Sequence, residues 1–251
     1  MANLGLQLYS IKEEAQRDLL GTLAKVAEIG YEGVEFAGYY GAEARDVRRV
    51  LEQEGLRAAG VHIPYHLIDE QLERQLEYAG IIGCEAILCP MVPKAISSEE
   101  RSFHEAAERF NRYGRKCREN GIRFLYHIHG YEFTDFGAGR TGMDILLGET
   151  EPELVAFEFD TFWVEFAGLD SVEYYNRIGS RCPYMHYKDR SRTGELRDTE
   201  VGEGSLDIAK LAAAGLRAGA DWFIVEQEQF DRPQLESVSI SLRNLRRILE
   251  R

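Results

Sequence analysis

The chain has 251 residues, 44% of them hydrophobic and 29% charged, with a formal net charge of −13. This composition is typical of a globular protein with a sizeable core, and the length suits one domain over residues 1–251. The acidic excess argues against nucleic acid or an anionic membrane as the main partner, and no apolar run reaches the roughly 18 residues that span a bilayer. We therefore expect a cytoplasmic protein without a targeting segment.

Short apolar runs alternate with longer segments of helical periodicity along the whole chain. The predicted strands cover residues 4–10, 33–38, 57–63, 85–92, 123–129, 154–162, 184–189 and 222–228. The predicted helices cover residues 18–30, 42–55, 67–80, 97–121, 142–150, 171–179, 205–219 and 233–250. Eight successive βα units predict a single (β/α)8 TIM barrel. A doubly wound sheet is the alternative, but the first βα turn lacks its glycines.

In such a barrel the functional side chains lie at the C-terminal ends of the strands. Polar and aromatic residues at those positions are Gln7, Tyr9, Glu35, His62, His66, His127, His129, Glu132, Asp160, Trp163, His186, Lys188, Asp189, Glu226 and Glu228. Five of the six histidines are among them, and the sixth, His104, lies in a predicted helix. Chance placement would not usually concentrate histidines in this way, so the pattern favours a functional site.

Asp160, His186 and Glu226 end three successive strands. Two carboxylates and one imidazole that converge at a barrel mouth suit Mn²⁺, Mg²⁺ or Co²⁺ better than a thiolate-bound zinc. Asp160 could instead cap the following helix, and His186 could be a hydrogen-bonded core residue. Glu226 is harder to explain structurally, because an unpaired charge in an apolar strand is costly. The neighbouring stretch YHIHGYEF, residues 126–133, should supply a fourth ligand.

Several motifs together resemble one known family. In order, GLQLYS, YHIHGYEF, FEFDTFWVEFAG, MHYKD, VGEGSLD and IVEQE resemble the sugar phosphate isomerase/epimerase group of the xylose isomerase-like TIM-barrel superfamily, within a YHxHxxEF subgroup. The resemblance covers essentially the whole chain. It implies a divalent ion held by Glu, Asp, His and Glu on strands five to eight. The last three ligands map onto Asp160, His186 and Glu226.

The fifth strand departs from the family pattern. Many members have a Glu within this strand, where this chain has His127. Glu132 would restore the ligand set from the strand-end loop, and we favour it slightly over replacement by His127. His129 is the third candidate. Mn²⁺ is the expected ion, with Mg²⁺, Co²⁺ and Zn²⁺ as alternatives.

The resemblance implies a small carbohydrate substrate and a metal-dependent isomerase or epimerase that forms an enediolate from a keto sugar or related polyol. The acid–base candidates are Glu132, Glu226, His127 and His129. The same intermediate would also allow a sugar dehydratase or a keto-glycoside eliminating lyase. A non-enzymatic sugar-binding barrel and an apurinic-site endonuclease are weaker alternatives, the latter because of the net charge of −13.

Substrate contacts are expected from His62, Trp163, Lys188, Arg192 and Tyr9. Arg192 resembles a substrate-binding arginine of some ketose epimerases, and Trp163 stands where those enzymes have a histidine. Non-phosphorylated sugars are favoured, because Glu203 between the two glycines of VGEGSLD would repel a phosphate. Barrels of this kind often pair through helices or loops, which leaves a homo-oligomer open.

Overall fold

A computed structural model describes residues 2–93, 99–194 and 196–250. Its strands are β1 Asn3–Gln7, β2 Gly33–Phe36, β3 Arg57–His62, β4 Ala86–Cys89, β5 Arg123–His127, β6 Val155–Asp160, β7 Tyr184–Tyr187, β8 Asp189–Arg190, β9 Asp198–Thr199 and β10 Trp222–Val225. All except β8 and β9 form one closed parallel barrel, in which each strand pairs with the next and β10 pairs with β1. The predicted TIM barrel is therefore confirmed, with β10 as its eighth strand. The two-residue strands β8 and β9 form a separate antiparallel pair.

Helices follow the barrel strands. They are α1 Lys12–Arg17, α2 Leu19–Ile29, α3 Ala44–Glu54, α4 Tyr65–Ile82, α5 Glu100–Glu119, α6 Gly142–Glu149, α7 Thr161–Phe166, α8 Ser171–Ile178, α9 Ile208–Ala218 and α10 Gln234–Leu249. Each predicted helix corresponds to one of them, although residues 97–98 of the fifth prediction lie outside the described residues. The short helices α1 and α7 were not predicted. Within the described part of the chain, no helix is long and apolar enough to cross a membrane.

The barrel interior is apolar at its base and polar at its mouth. The basal plug consists of Ala59, Ala86, Leu88, Leu125, Tyr184, Trp222 and Ile224, all fully buried. Gly33 leaves room for the largest of them, because a Cβ at this position would come 2.5 Å from the Trp222 indole. Above the plug, residues two positions further along β5 and β7 point inward again. That register brings Gln7 beside Glu35 and Asp160 beside His186.

All eight predicted strands run past the observed strand ends at the mouth, and three of them show what replaces the strand. Residues 8–11 form a 3-10 turn, residue 161 begins α7, and residues 226–228 follow β10 without strand pairing. The polar residues at these ends redirect the chain. The Gln7 side chain accepts a hydrogen bond from the Tyr9 N–H at 3.0 Å, and Asp160 caps α7. Gln7 and Asp160, both predicted to lie at the functional site, therefore also help to end their strands.

Candidate metal centre at the barrel mouth

Strands β6, β7 and β10 bring Asp160, His186 and Glu226 together. Their exposed fractions are 0%, 0% and 6%. His186 Nδ1 lies 3.2 Å from Glu226 Oε2 and 3.8 Å from Asp160 Oδ2. The sequence prediction placed these three residues at one end of the barrel, and the structure joins them in one buried cluster.

His127, the last residue of β5, completes a set of four. One ligand atom from each of His127, Asp160, His186 and Glu226 lies within 4.8 Å of the corresponding atoms of the others. Two imidazole nitrogens and two carboxylate oxygens form a donor set that suits a divalent transition metal. Carboxylates this deeply buried need a positive charge close by.

Asp160 offers a test of whether the cluster suits a cation. Its Oδ1 accepts hydrogen bonds from the N–H groups of Phe162 and Trp163, both at 2.8 Å, and so caps α7. Its Oδ2 is buried and has no hydrogen-bond partner among the described residues. A buried carboxylate oxygen without a donor is costly. Asp160 therefore caps α7 through one oxygen and leaves the other oxygen available to a cation.

Glu132, the favoured fourth ligand from sequence, lies elsewhere. It is fully buried in the 3-10 turn Tyr131–Phe133. Its Oε1 accepts a hydrogen bond from the Tyr126 hydroxyl at 2.5 Å, and its Oε2 accepts one from the His129 N–H at 3.0 Å. Among the described residues, the groups whose ligand atoms converge include His127 and not Glu132. Position therefore favours His127 over Glu132 as the fourth candidate ligand.

A second layer of carboxylates lies behind the two imidazoles. His186 Nε2 is 2.7 Å from Glu35 Oε2, and His127 Nδ1 is 2.8 Å from Glu158 Oε2. His62 Nε2 lies 3.0 Å from both of these oxygens and so bridges them. Carboxylates in this position fix the tautomer and the orientation of ligating histidines. His62, which is predicted to contact substrate, lies against this second layer.

Glu158 was missed by the sequence analysis, although a signal for it exists. It lies two residues before Asp160 in the strand FEFD, and residues two apart point to the same face of a strand. A second buried carboxylate on the inner face of a barrel strand needs a hydrogen-bond or charged partner as much as the first does.

His66 was assigned wrongly to a strand end, since it is an exposed residue in the first turn of α4.

Burial and neighbouring charges set the protonation states of the cluster. Burial lowers the pKa of His127 well below its ordinary value, and the nearby imidazoles lower it further, so His127 is neutral and free to ligate. Burial alone would raise the pKa of Glu226, but Lys188 and His186 outweigh it and hold that carboxyl ionised. Burial raises the pKa of Asp160 to about 7, and the Glu226 charge adds to this effect.

One wall of the mouth carries two residues predicted to contact substrate, Lys188 and Trp163, and one acid–base candidate, His129. Lys188 is buried and forms ion pairs with Glu228 and, at 3.5 Å, with Glu226. Its Nζ lies 5.0 Å from the centroid of the Trp163 ring, and that ring is 5.3 Å from the ring of His129. Trp163 Nε1 and His129 Nδ1 are buried without a partner among the described residues. The wall therefore offers a fixed cation, a free donor and a free ring nitrogen.

Two other predicted contacts lie apart from this wall. Arg192 is exposed, and its Nε donates to the Glu203 carbonyl at 3.2 Å. It lines an outer cavity of about 520 Å³ together with residues of α9 and α10. Tyr9 lies just beyond β1 and is 41% exposed, with Lys12 Nζ 4.2 Å from its ring centroid. The structure brings neither residue into the buried cluster.

The VGEGSLD loop is folded around a side chain of the protein itself. Asp189 Oδ2 accepts hydrogen bonds from the N–H groups of Gly202 and Gly204 at 2.9 and 3.0 Å. Its Oδ1 accepts two more, from Leu206 and Arg190. Backbone N–H groups gathered in this way make an anion site. Here the Asp189 carboxylate already fills it.

Comparison with known proteins agrees with this architecture. The family model described as xylose isomerase-like TIM barrel matches residues 23–248. The chain belongs to this family. An inosose dehydratase of Geobacillus kaustophilus is 27% identical, with 82% of this chain and 79% of that protein covered.

Two solved structures share the fold. A sugar phosphate isomerase/epimerase from Parabacteroides distasonis superimposes with a TM-score of 0.81 at 24% identity, over 96% of this chain and 92% of that one. A structure of L-ribulose 3-epimerase gives a TM-score of 0.74 at 13% identity, over 100% and 96% of the two chains. At these identities the similarity establishes the fold alone.

Proposed function

We propose that this chain is a divalent-metal-dependent enzyme that removes the proton next to the carbonyl of a keto sugar or keto-polyol. The observation that supports it is the convergence of His127, Asp160, His186 and Glu226, with Asp160 Oδ2 buried and unpaired. These four residues would hold the ion. A divalent cation held there would supply Lewis-acid polarisation of the substrate carbonyl.

Two side chains are suited to move protons. Glu226 is kept ionised by Lys188 and His186, so it is available as the base. His129 has an unpaired Nδ1 through which it could relay a proton, and burial lowers its pKa to about 3, so the ring is neutral at rest and passes on any proton that it takes up. The other two acid–base candidates are occupied, because Glu132 and His127 both have hydrogen-bond partners that hold them in place.

Lys188 and Trp163 would bind and orient the substrate. The carboxylates around Lys188 raise its pKa despite burial, so it stays protonated and serves as a donor to a substrate oxygen, never as a base. The Trp163 indole N–H would donate to a hydroxyl, and its ring offers an apolar face to the sugar.

We propose dehydration ahead of isomerisation or epimerisation as the outcome. Epimerisation needs proton-transfer groups on both faces of one carbon, whereas β-elimination needs a base and a donor for the departing hydroxyl. Glu226, Lys188 and His129 are grouped along one wall with Trp163, which suits elimination. The similarity to a protein named inosose dehydratase supports the same outcome.

The substrate would be uncharged rather than phosphorylated. The anion site in the VGEGSLD loop is filled by Asp189, and Arg192 is bonded to that loop on the outside of the barrel. The mouth itself carries buried carboxylates, which would repel a phosphate. A cyclic keto-polyol or a 3-keto-glycoside satisfies these conditions.

The test is turnover in D2O with Mn²⁺ supplied, followed by NMR, on cyclic keto-polyols, 3-keto-glycosides and simple ketoses. Loss of a β-hydroxyl or β-alkoxy group together with the α-proton supports the proposal. Deuterium incorporation without elimination would show isomerase or epimerase chemistry instead. If no member of the panel exchanges or eliminates, the proposed activity is wrong.

A paired variant ties the activity to the site. Asp160→Asn should lose both Mn²⁺ binding and turnover, because the amide weakens the free ligand oxygen. Asp170→Asn is the matched control, since Asp170 only caps α8 at the surface and asparagine caps equally well. Equal Mn²⁺ affinity in the two variants would contradict the proposed ligand set.

A further inference from the structure

Glu132 is a fully buried carboxyl group to which the proposed reaction assigns no role. It lies on the turn that follows β5, and both of its oxygens are engaged: Oε1 with the Tyr126 hydroxyl at 2.5 Å, and Oε2 with the His129 N–H at 3.0 Å. Burying a carboxyl group is costly unless its hydrogen bonds are made. The groups that Glu132 holds in place are therefore its two hydrogen-bond donors.

The hydrogen bonds continue to a second loop of the mouth. The Tyr126 hydroxyl lies 2.7 Å from the Tyr131 hydroxyl, and the latter accepts a hydrogen bond from the Val92 N–H at 3.0 Å. Val92 follows β4, whereas Tyr126, Tyr131 and Glu132 belong to β5 and the turn after it. The network thus joins the loops after two neighbouring strands.

His129 is the residue on which this network converges. Glu132 holds its backbone N–H, and the Tyr131 ring stacks on its imidazole at a centroid distance of 5.8 Å and an interplanar angle of 20°. The imidazole has no hydrogen bond at Nδ1 among the described residues. The position of this ring therefore depends on its backbone and on its aromatic neighbours.

We propose that Glu132 is a positioning residue that holds His129 at the barrel mouth through the His129 N–H and the Tyr126–Tyr131 hydroxyl pair. This role rests on the proposed function, in which His129 moves a proton. It replaces the expectation that Glu132 binds the ion. A displacement of about 1 Å at a proton-transfer group lowers a rate on the order of a hundredfold.

The experiment compares Glu132→Ala, Glu132→Gln and the control Glu108→Ala, which removes an exposed glutamate from α5. The first readout is the imidazole ¹⁵N–¹H NMR spectrum of the metal-free protein, with His129 signals assigned through His129→Gln. The second is Mn²⁺ affinity by calorimetry. The third is kcat and KM on a substrate found in the turnover panel.

Glu132→Ala should shift the His129 signals and leave those of exposed His66 in place, with Mn²⁺ affinity unchanged. It should lower kcat about a hundredfold with little effect on KM. Glu132→Gln should recover most of kcat, because its amide oxygen still accepts the His129 N–H. Glu108→Ala should match the wild type in all three readouts.

Two results would overturn the positioning role. One is unchanged His129 signals in Glu132→Ala, and the other is a loss of Mn²⁺ affinity as large as that in Asp160→Asn, which would make Glu132 a ligand. The NMR signals and the Mn²⁺ affinity are both measured without turnover. The positioning role can therefore be tested even if the proposed reaction is wrong. If Glu132→Ala does not fold, Tyr126→Phe removes one of the two hydrogen bonds and must shift the same signals.

Discussion

His127 Nδ1 and Glu158 Oε2 form a buried hydrogen bond of 2.8 Å at the mouth of the barrel. Because Nδ1 is engaged, Nε2 is the nitrogen that remains for an ion. His186 repeats the arrangement with its ring reversed, since Nε2 lies 2.7 Å from Glu35 and Nδ1 faces Glu226. A carboxylate behind each imidazole would set which nitrogen faces an ion.

Replacing the carboxylate behind His127 should weaken the proposed metal centre. We expect Glu158→Gln to lower Mn²⁺ affinity by about 10- to 100-fold, because a neutral amide supports the imidazole less well as a ligand. Calorimetric titration of the metal-free protein measures this. Glu132→Gln, an identical change at a buried carboxyl of the adjacent loop, should leave the affinity unchanged. An unaltered affinity in Glu158→Gln would show that the second layer does not act on the ion.

Metal binding should strengthen as the pH rises. Burial by itself would lower the pKa of His186, but the carboxylates of Glu158, Glu226 and Glu35 outweigh it and raise that pKa well above its ordinary value. The imidazole is therefore protonated in the metal-free protein at neutral pH, and it must lose this proton to bind an ion. Calorimetry in buffers of different ionisation enthalpy should detect proton release. Affinity independent of pH between about 6 and 8 would contradict this protonation state.

Glu132 should make stability fall with rising pH. Burial raises its pKa from 4.5 to about 7 in the folded protein. The contribution of Glu132 to the free energy of unfolding is fully present below the pKa that this carboxyl has in the unfolded chain. It is lost as the pH rises through the pKa of the folded protein, and the loss is on the order of 3 kcal/mol.

Urea unfolding of metal-free wild type and Glu132→Gln at pH 5 and pH 8 isolates this effect. The free energy of unfolding of the wild type should drop relative to that of the variant at the higher pH. A gap between the two proteins that stays constant or widens with pH would rule out a raised Glu132 pKa.

The loop around Asp189 should tolerate no side chain at Gly204. A Cβ there would collide with Asp189 Oδ1 and the Arg190 carbonyl, so the loop must move and lose hydrogen bonds to the buried carboxylate. We expect Gly204→Ala to lower the free energy of unfolding by about 2 kcal/mol. Gly80 is an exposed helical residue, and a Cβ added there would meet no atom outside its own helix within 4 Å. Gly80→Ala should therefore raise the free energy of unfolding by about 0.5–1 kcal/mol. Denaturation curves that move in the same direction for both variants would contradict this packing.

The sequence predicted most of the polar residues that lie at the barrel mouth, but it did not predict every one of them. Asp160, His186 and Glu226 were found because each ends a different strand. Glu158 was overlooked because it lies within an apolar run, although its two-residue spacing from Asp160 places both side chains on one face of β6. Arg192 is expected to contact substrate because it resembles an arginine of ketose epimerases, and in the structure its Nε donates to the Glu203 carbonyl in the VGEGSLD loop.

The sequence alone determined the barrel and the gathering of three candidate ligands, because hydrophobic periodicity specifies the elements and successive βα units place all strand ends on one face. The tertiary structure decided which residue of YHIHGYEF joins them. His127 is the inward-facing end of β5, whereas Glu132 lies on a turn that folds back on Tyr126. Strand register and hydrogen bonds across loops depend on residues far apart in the chain, and a linear motif does not contain them.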